Sequence, residues 1–254
     1  MILRQLLHTS PVVAISYLFG CGGKGVGAVC DPIDDAEVYL RAAQENHMNL
    51  RYVIDTHVHA DHLSTGRKLA ELAGAQYVLH SSAGASYDFL AVNDNDVLDA
   101  GNVQIRILHT PGHTPEHISL LVSDKTRGPE PWFLLSGHTL MVGDLGRTEL
   151  AANAEEGARR LFETVEKLKS LPDYVEVLPG AFAGSVCGRA LSGKPMSTIG
   201  FERRFNRAFQ IADRDEFVGH MVRDIPAPPP NAKENRAMNL GLAVEWSAAH
   251  SHGR

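Results

Sequence analysis

The chain has 254 residues, enough to bury a full core as one large domain or as one domain with a C-terminal elaboration. Apolar residues make up 44% and charged residues 21%, and a formal net charge of −6 gives no electrostatic reason to expect nucleic acid or an anionic membrane as a partner. Cys21, Cys30 and Cys187 form no CxxC spacing and are odd in number, which argues against a disulfide framework and for reduced thiols in a cytoplasm.

The first 23 residues, MILRQLLHTSPVVAISYLFGCGG, admit two readings. One Arg, an apolar run and a following cysteine imitate a lipoprotein signal, but Ser10 and Pro11 interrupt the run, and about nine residues fall far short of the ~20 that span a bilayer. Two strands explain it better: PVVAISYLFG, then GVGAVCDP after the glycines at 20, 22 and 23. Asp34 or Asp35 can cap a helix to about residue 47, and LRYVIDT follows as a short buried strand. SerThrGly at 64–66 opens the helix GRKLAELAG, and AQYVLHS returns as a strand. VQIRILHT, HISLLVS and PWFLLSG are further strands, the first two flanking PGHTPE. NAEEGARRLFETVEKLKSL places Leu161, Val165 and Leu168 at helical spacing and stops before Pro172. YVEVLPG is the last strand, followed by a glycine-rich turn and an amphipathic segment near 197–222. PAPPPNA at 226–232 reads as a stiff surface tail, so the expected division is a domain over 1–225 and a Pro-rich tail over 226–254. Strand-rich halves with helices between them suggest two mixed sheets covered by helices, a four-layer α/β arrangement.

The chemistry concentrates in THVHADHLSTG, residues 56–66. On an extended loop, residues two apart point the same way, so His57 and His59 can grip one ion while Asp61 and His62 fall toward a neighbouring position. Neutral imidazoles suit zinc, iron, copper or nickel. His113 in HTPGHTPEH and His138 in LLSGHTLMVGD each follow a strand, where a side chain can be turned toward a cleft, and both join the candidate ligands.

THVHADH, TPGHTPEHISLLV, SGHTLMVGDLGRTEL and LPGAFAGSVCGRAL resemble the successive motifs of the metallo-β-lactamase fold superfamily, nearest its persulfide dioxygenase (sulfur dioxygenase) and glyoxalase II-like branch. The resemblance covers roughly residues 1–222, including RQL at the start, the Asp31–Pro32 turn and STIGFERRFNRAF. It implies an αββα fold with the site at the edge between the sheets. It also implies that His57, His59 and His113 match a first metal site and that Asp61 and His62 match two ligands of a second. In the persulfide dioxygenases, residues matching His57 and His113 hold a single iron together with an aspartate.

This chain departs from that pattern twice. His138 stands where the aspartate of Ser-Gly-Asp is expected, and Ala181 stands where the later motif has its histidine. A carboxylate can bridge two cations, whereas a neutral imidazole offers one lone pair. A dinuclear hydrolytic site, with ions ~3.5–4 Å apart, is therefore disfavoured. The expectation is one divalent metal per chain, Fe(II) ahead of Zn(II), on His57, His59, His113 and His138, with Asp61 and His62 as catalytic groups. The first function expected is oxidation of a low-molecular-weight persulfide, such as glutathione persulfide, by mononuclear iron. The alternatives are a single-zinc glyoxalase II-like thioester or lactone hydrolase, and a metal-binding homologue without catalysis. Arg147 and Arg189 are candidate substrate contacts, Arg189 with Lys194 toward a carboxylate. Asp144 and Arg147 divide between ligand orientation and holding the glycine-rich turn. Asp31 reads as a turn residue behind the ligands, Tyr17 as core, Cys187 as a buried inert thiol, and His250 and His252 as tail. The partner expected is a small-molecule thiol or persulfide; a homodimer is left open.

Overall fold

The computed structural model describes residues 1–225 and 227–242. His250 and His252 lie outside the described residues. In chain order the first elements are β1 (Ile2–His8), β2 (Ala14–Cys21), β3 (Val26–Cys30), α1 (Ala36–Glu45), β4 (Asn49–Ile54), α2 (Gly66–Ala73), β5 (Gln76–His80) and β6 (Leu90–Val92). Then come β7 (Val97–Ala100), β8 (Val103–His109), β9 (Ile118–Asp124), β10 (Phe133–Gly137), β11 (Leu140–Met141), β12 (Asp144–Leu145), α3 (Ala154–Lys169), β13 (Glu176–Pro179) and β14 (Ser197–Thr198). Four helices close the described chain: α4 (Ile199–Phe205), α5 (Arg207–Gln210), α6 (Arg214–Met221) and α7 (Ala232–Asn239). None is long and apolar enough to cross a membrane.

The strands form two six-stranded sheets, in the orders β1-β2-β3-β4-β5-β6 and β14-β13-β10-β9-β8-β7, with a small β11-β12 ladder beside them. Each sheet is mixed: β1 to β3 run antiparallel and β3 to β6 parallel, while β10 pairs parallel with β13 and antiparallel with β9. The two-residue period of a strand divides the apolar side chains between layers. In β2, Tyr17 and Phe19 enter the core between the sheets, and Leu18 packs beneath α1 and α2. In β9, Ile118, Leu120 and Val122 face the other sheet while Leu121 faces the α3–α6 side. Both faces of both sheets are therefore covered, giving the four-layer αββα arrangement expected.

Helix α3 shows how sequence sets an element. Asn153 caps it by accepting from the amides of Glu155 and Glu156, and Leu161, Val165 and Leu168 form the buried stripe. Each such leucine, once buried, contributes about 1.5–3 kcal/mol. Elsewhere the structure adds to the sequence reading. Strand β1, absent from that reading, pairs along its full length with β2. The stretch expected to be a stiff tail contains α7, which packs back on the site.

Four strand ends meet at one edge of the sandwich: Ile54 of β4, His109 of β8, Gly137 of β10 and Pro179 of β13. Backbone bonds join the sheets there, from Ile118 N to Thr56 O (2.8 Å) and from Ile15 N to Gly180 O (2.7 Å). The loops that leave these ends converge.

Candidate metal centre

His57, His113 and His138 come from three of those loops and stand in a near-equilateral triangle. Their ring centroids are 4.8 Å (57–113), 4.9 Å (57–138) and 5.1 Å (113–138) apart. One ring nitrogen from each lies within 4.8 Å of the others, and all three residues are buried. Burial, reinforced by the neighbouring imidazoles, presses the pKa of His57 well below its ordinary value and that of His113 down to about 3. Burial likewise lowers His138, against the opposing charge of Asp61. Neutral imidazole is the ligand form.

The second nitrogens are fixed by named partners. The single hydroxyl proton of Thr56 goes to Asp31 Oδ2 (2.9 Å), so its oxygen accepts the Nδ1–H of His57 (3.0 Å) and leaves Nε2 bare. Asp31 is itself held by the Thr56 amide (2.7 Å). His113 Nδ1 donates to the Arg147 carbonyl (2.8 Å), which frees its Nε2. His57 Nε2 and His138 Nδ1 are buried without a hydrogen-bond partner. Buried polar atoms normally have one, so two such orphans beside a third free nitrogen fit a cation. A divalent transition metal matches this donor set.

His117, which sequence reasoning did not single out, sets the position of His138. Its Nε2 accepts the His138 amide (3.2 Å), and its Nδ1 faces the hydroxyls of Thr110 (2.9 Å) and Thr139 (3.0 Å). Its ring is stacked on His57. The second histidine of PGHTPEH was the available signal. Gly137, at φ +51°, turns the chain where any Cβ would meet His117 Nε2 and Thr56 Oγ1 at 2.6 Å.

His59 adjoins this triangle without completing it: its ring lies 4.2 Å from that of His57 but 6.4 Å from that of His138, and no ring nitrogen of it falls in the triangle's ligand group. It groups instead with Asp61 and His62 on one side and with Asp31 and Asp55 on the other. Its Nε2 lies 3.3 Å from Asp31 Oδ1, and its Nδ1 is buried and unpartnered. Burial pulls the His59 pKa down, but Asp31, Asp55 and Asp61 outweigh it and raise the ring to about 9. His62 Nδ1 donates to Asp61 Oδ1 (2.9 Å), leaving its Nε2 without a partner. Burial raises the Asp61 carboxyl, but the His62 contact outweighs it and holds the group well below the usual range. A third overlapping group joins Asp61, His138 and Cys187. The Cys187 thiol, pushed up by burial and by Asp61, lies 3.7 Å from Asp61 Oδ2. Thus the expected four-histidine set is distributed here as a triangle of three with His59 in the adjoining cluster.

The arginines are placed differently from the substrate contacts expected of them. The Arg147 side chain is 3% exposed and turned inward, to Glu149 and to the carbonyls of Val186 (3.0 Å) and Ala227 (3.1 Å). It ties the segment after β12 to the turn at Val186 and to the chain at Ala227. Arg189 donates to His220 O (2.8 Å) and pairs with Asp144 (3.3 Å), at the wall of an open cavity of about 460 Å³ that Arg207 and Arg223 also line. Asp144 accepts the amides of Leu145, Arg189 and Ala190, so it holds the turn after Cys187. Tyr17 is core, its hydroxyl donating to Pro179 O (2.6 Å), and Ala181 is fully buried.

No protein-family model matches the chain. Among solved structures it is similar to a metallo-β-lactamase from Staphylococcus aureus subsp. aureus COL, with 34% identity and a TM-score of 0.87 over 94% of this chain and 72% of that one. The chain belongs to the metallo-β-lactamase family. Within that family it is 26% identical over 231 residues to the mitochondrial persulfide dioxygenase ETHE1 of Bos taurus, covering 89% of this chain and 83% of the relative. It is also 28% identical over 206 residues to a hydroxyacylglutathione hydrolase of Prochlorococcus marinus, covering 79% and 75%. The bare imidazole nitrogens lie at the edge where the four loops converge.

Proposed function

We propose that this metallo-β-lactamase-fold protein oxidises a low-molecular-weight persulfide, such as glutathione persulfide, with one iron(II) held by His57, His113 and His138. The balanced reaction is RSSH + O₂ + H₂O → RSH + SO₃²⁻ + 2H⁺. The observation that supports it most is a buried triangle of imidazole nitrogens, in a chain alike along most of its length to a persulfide dioxygenase. The ion, when bound, supplies the open coordination positions and one-electron chemistry that dioxygen requires.

The chain's own residues do the rest. Three neutral ligands leave a divalent ion's charge uncompensated within the triangle, which favours an anionic persulfide there. Asp31 and Thr56 fix the tautomer and orientation of His57, as the Arg147 carbonyl does for His113. His62 Nε2 is available to take the proton from the arriving persulfide, and Asp61 stabilises the imidazolium so formed. The surrounding burial keeps bulk water out.

A second reading, a single-zinc hydrolase of a thioester or lactone, draws on the likeness to a hydroxyacylglutathione hydrolase and on Asp61, which lies beside His138 as a proton acceptor. One experiment separates the two. Protein purified anaerobically is analysed for metal and then presented with glutathione persulfide in an oxygen electrode and with a glutathione thioester in a separate assay. About one iron per chain with persulfide-dependent oxygen uptake supports the first reading. Chelator-sensitive thioester cleavage without oxygen uptake selects the second. Tight metal binding with neither reaction leaves a binding protein without catalysis.

A further inference from the structure

Helix α7 has no fully buried residue, so apolar burial does not account for its position. What holds it is a set of side-chain bonds to the backbone of the ligand loop. Arg236 Nη1 donates to Val58 O (2.8 Å) and Asn235 Nδ2 to Ala60 O (3.1 Å). Asn239 Nδ2 donates to both His59 O and His62 O (2.8 Å each), while its Oδ1 accepts the Ser64 amide (3.0 Å). Arg236 also makes a two-pronged pair with Glu116, 3.0 Å on each arm, and Glu116 Oε1 accepts the Val58 amide (3.0 Å). The Glu116 side chain is 2% exposed. At its far end α7 is anchored by Tyr87 Oη donating to Asn239 O (2.6 Å) and by the partly buried Leu240.

The dependence runs both ways. Residues 57–63 lie in no strand or helix, so their buried carbonyls need partners from elsewhere in the chain. An eight-residue helix, in turn, is too short to persist without tertiary contacts. Glu116 couples the two, because losing Arg236 would leave its buried carboxylate without its cation.

We propose that α7 is a latch on the ligand loop, with Arg236 and Asn239 as positioning residues. Gripping the backbone at 58, 59, 62 and 64, with Asn235 at 60, they hold the loop on which His57 faces the other two imidazoles, where a divalent cation can be bound. The affinity part of this inference rests on the reading of His57 as a ligand.

The test uses the full chain with R236A, R236K and N239A, each measured free of metal and then titrated with Co²⁺ alone. In the metal-free R236A protein, hydrogen exchange of the amides at 57–64 should rise at least about tenfold, while β9 and α3 stay protected. Its Co²⁺ dissociation constant should rise roughly 10–100-fold, the range found when groups supporting a metal ligand are removed. R236K should recover part of both effects, since it keeps the charge and loses the fork. N239A, which leaves the buried ion pair intact, should show the same pattern more weakly and serves if R236A does not fold. Unchanged exchange at 57–64 overturns the latch. Faster exchange with Co²⁺ affinity within twofold of wild type overturns the positioning role and leaves α7 a structural cover. Failure of the wild-type protein to bind Co²⁺ overturns the ligand reading and the affinity claim with it, and the exchange result then stands on its own.

Discussion

The two ligand groups at the sandwich edge are built in opposite ways. His57, His113 and His138 arrive from three loops, stay neutral through burial, and have their second nitrogens or backbone secured by Thr56, the Arg147 carbonyl and His117. His59, Asp61 and His62 arrive from one loop within four residues and bring carboxylates with them: Asp61 accepts a hydrogen bond from His62, and Asp31 faces His59. Both groups hold ring nitrogens without a hydrogen-bond partner, but only the second carries its own counter-charges. A cation gains more from the first, because no internal pair has to be broken to bind it.

Substitutions can break or sharpen this contrast, all read by the same Co²⁺ or Fe²⁺ titration. His113→Ala should have the largest effect, weakening binding by more than about 100-fold, since a ligand's loss exceeds that of a residue merely supporting one. If H113A binds as tightly as H62A, the two groups are equivalent and the contrast fails. Thr56→Val comes next: it removes the acceptor that orients His57 and leaves Asp31 Oδ2 short of a bond. An affinity loss of about 10–100-fold is expected, with about 1–3 kcal/mol of stability lost in denaturant unfolding. His138→Asp should act in the opposite direction, because a carboxylate adds charge to an otherwise neutral set. Tighter binding and a second equivalent of metal are expected, and unchanged stoichiometry and affinity would remove His138 from the ligands. His62→Ala should alter affinity least, by less than about tenfold. It should instead lower kcat by about 10²-fold or more as a proton carrier is lost; an unchanged kcat would remove His62 from the proton path.

Much of this architecture is legible in local pattern. The alternation of Tyr17, Leu18 and Phe19 and the spacing of Leu161, Val165 and Leu168 specify a two-faced strand and a one-faced helix. Strand β1 was obscured because its surface is largely exposed or half-buried and gives weaker alternation. Helix α7 was hidden for a related reason: AKENRAMN carries no apolar stripe, and a Pro-rich run precedes it. The arginines show another limit. Sequence leaves Arg147 between a substrate contact and a turn-holding role, and only the fold shows it serving the carbonyls of Val186 and Ala227, residues 39 and 80 positions away.

From its sequence alone, the chain declares two mixed sheets and puts histidines on loops that follow strands, since periodicity and strand-end position are properties of short segments. That these loops share one edge is implied by the family resemblance. Which imidazoles share a centre was decided by the folded molecule. His59 faces Asp31, 28 residues back, and the support of His138 depends on His117, 21 residues back. The grip on the ligand loop comes from residues 175–180 positions onward. A hydrogen bond needs only proximity in space, so bonds spanning such separations leave no trace in local pattern, and the geometry of the centre had to be read from the fold.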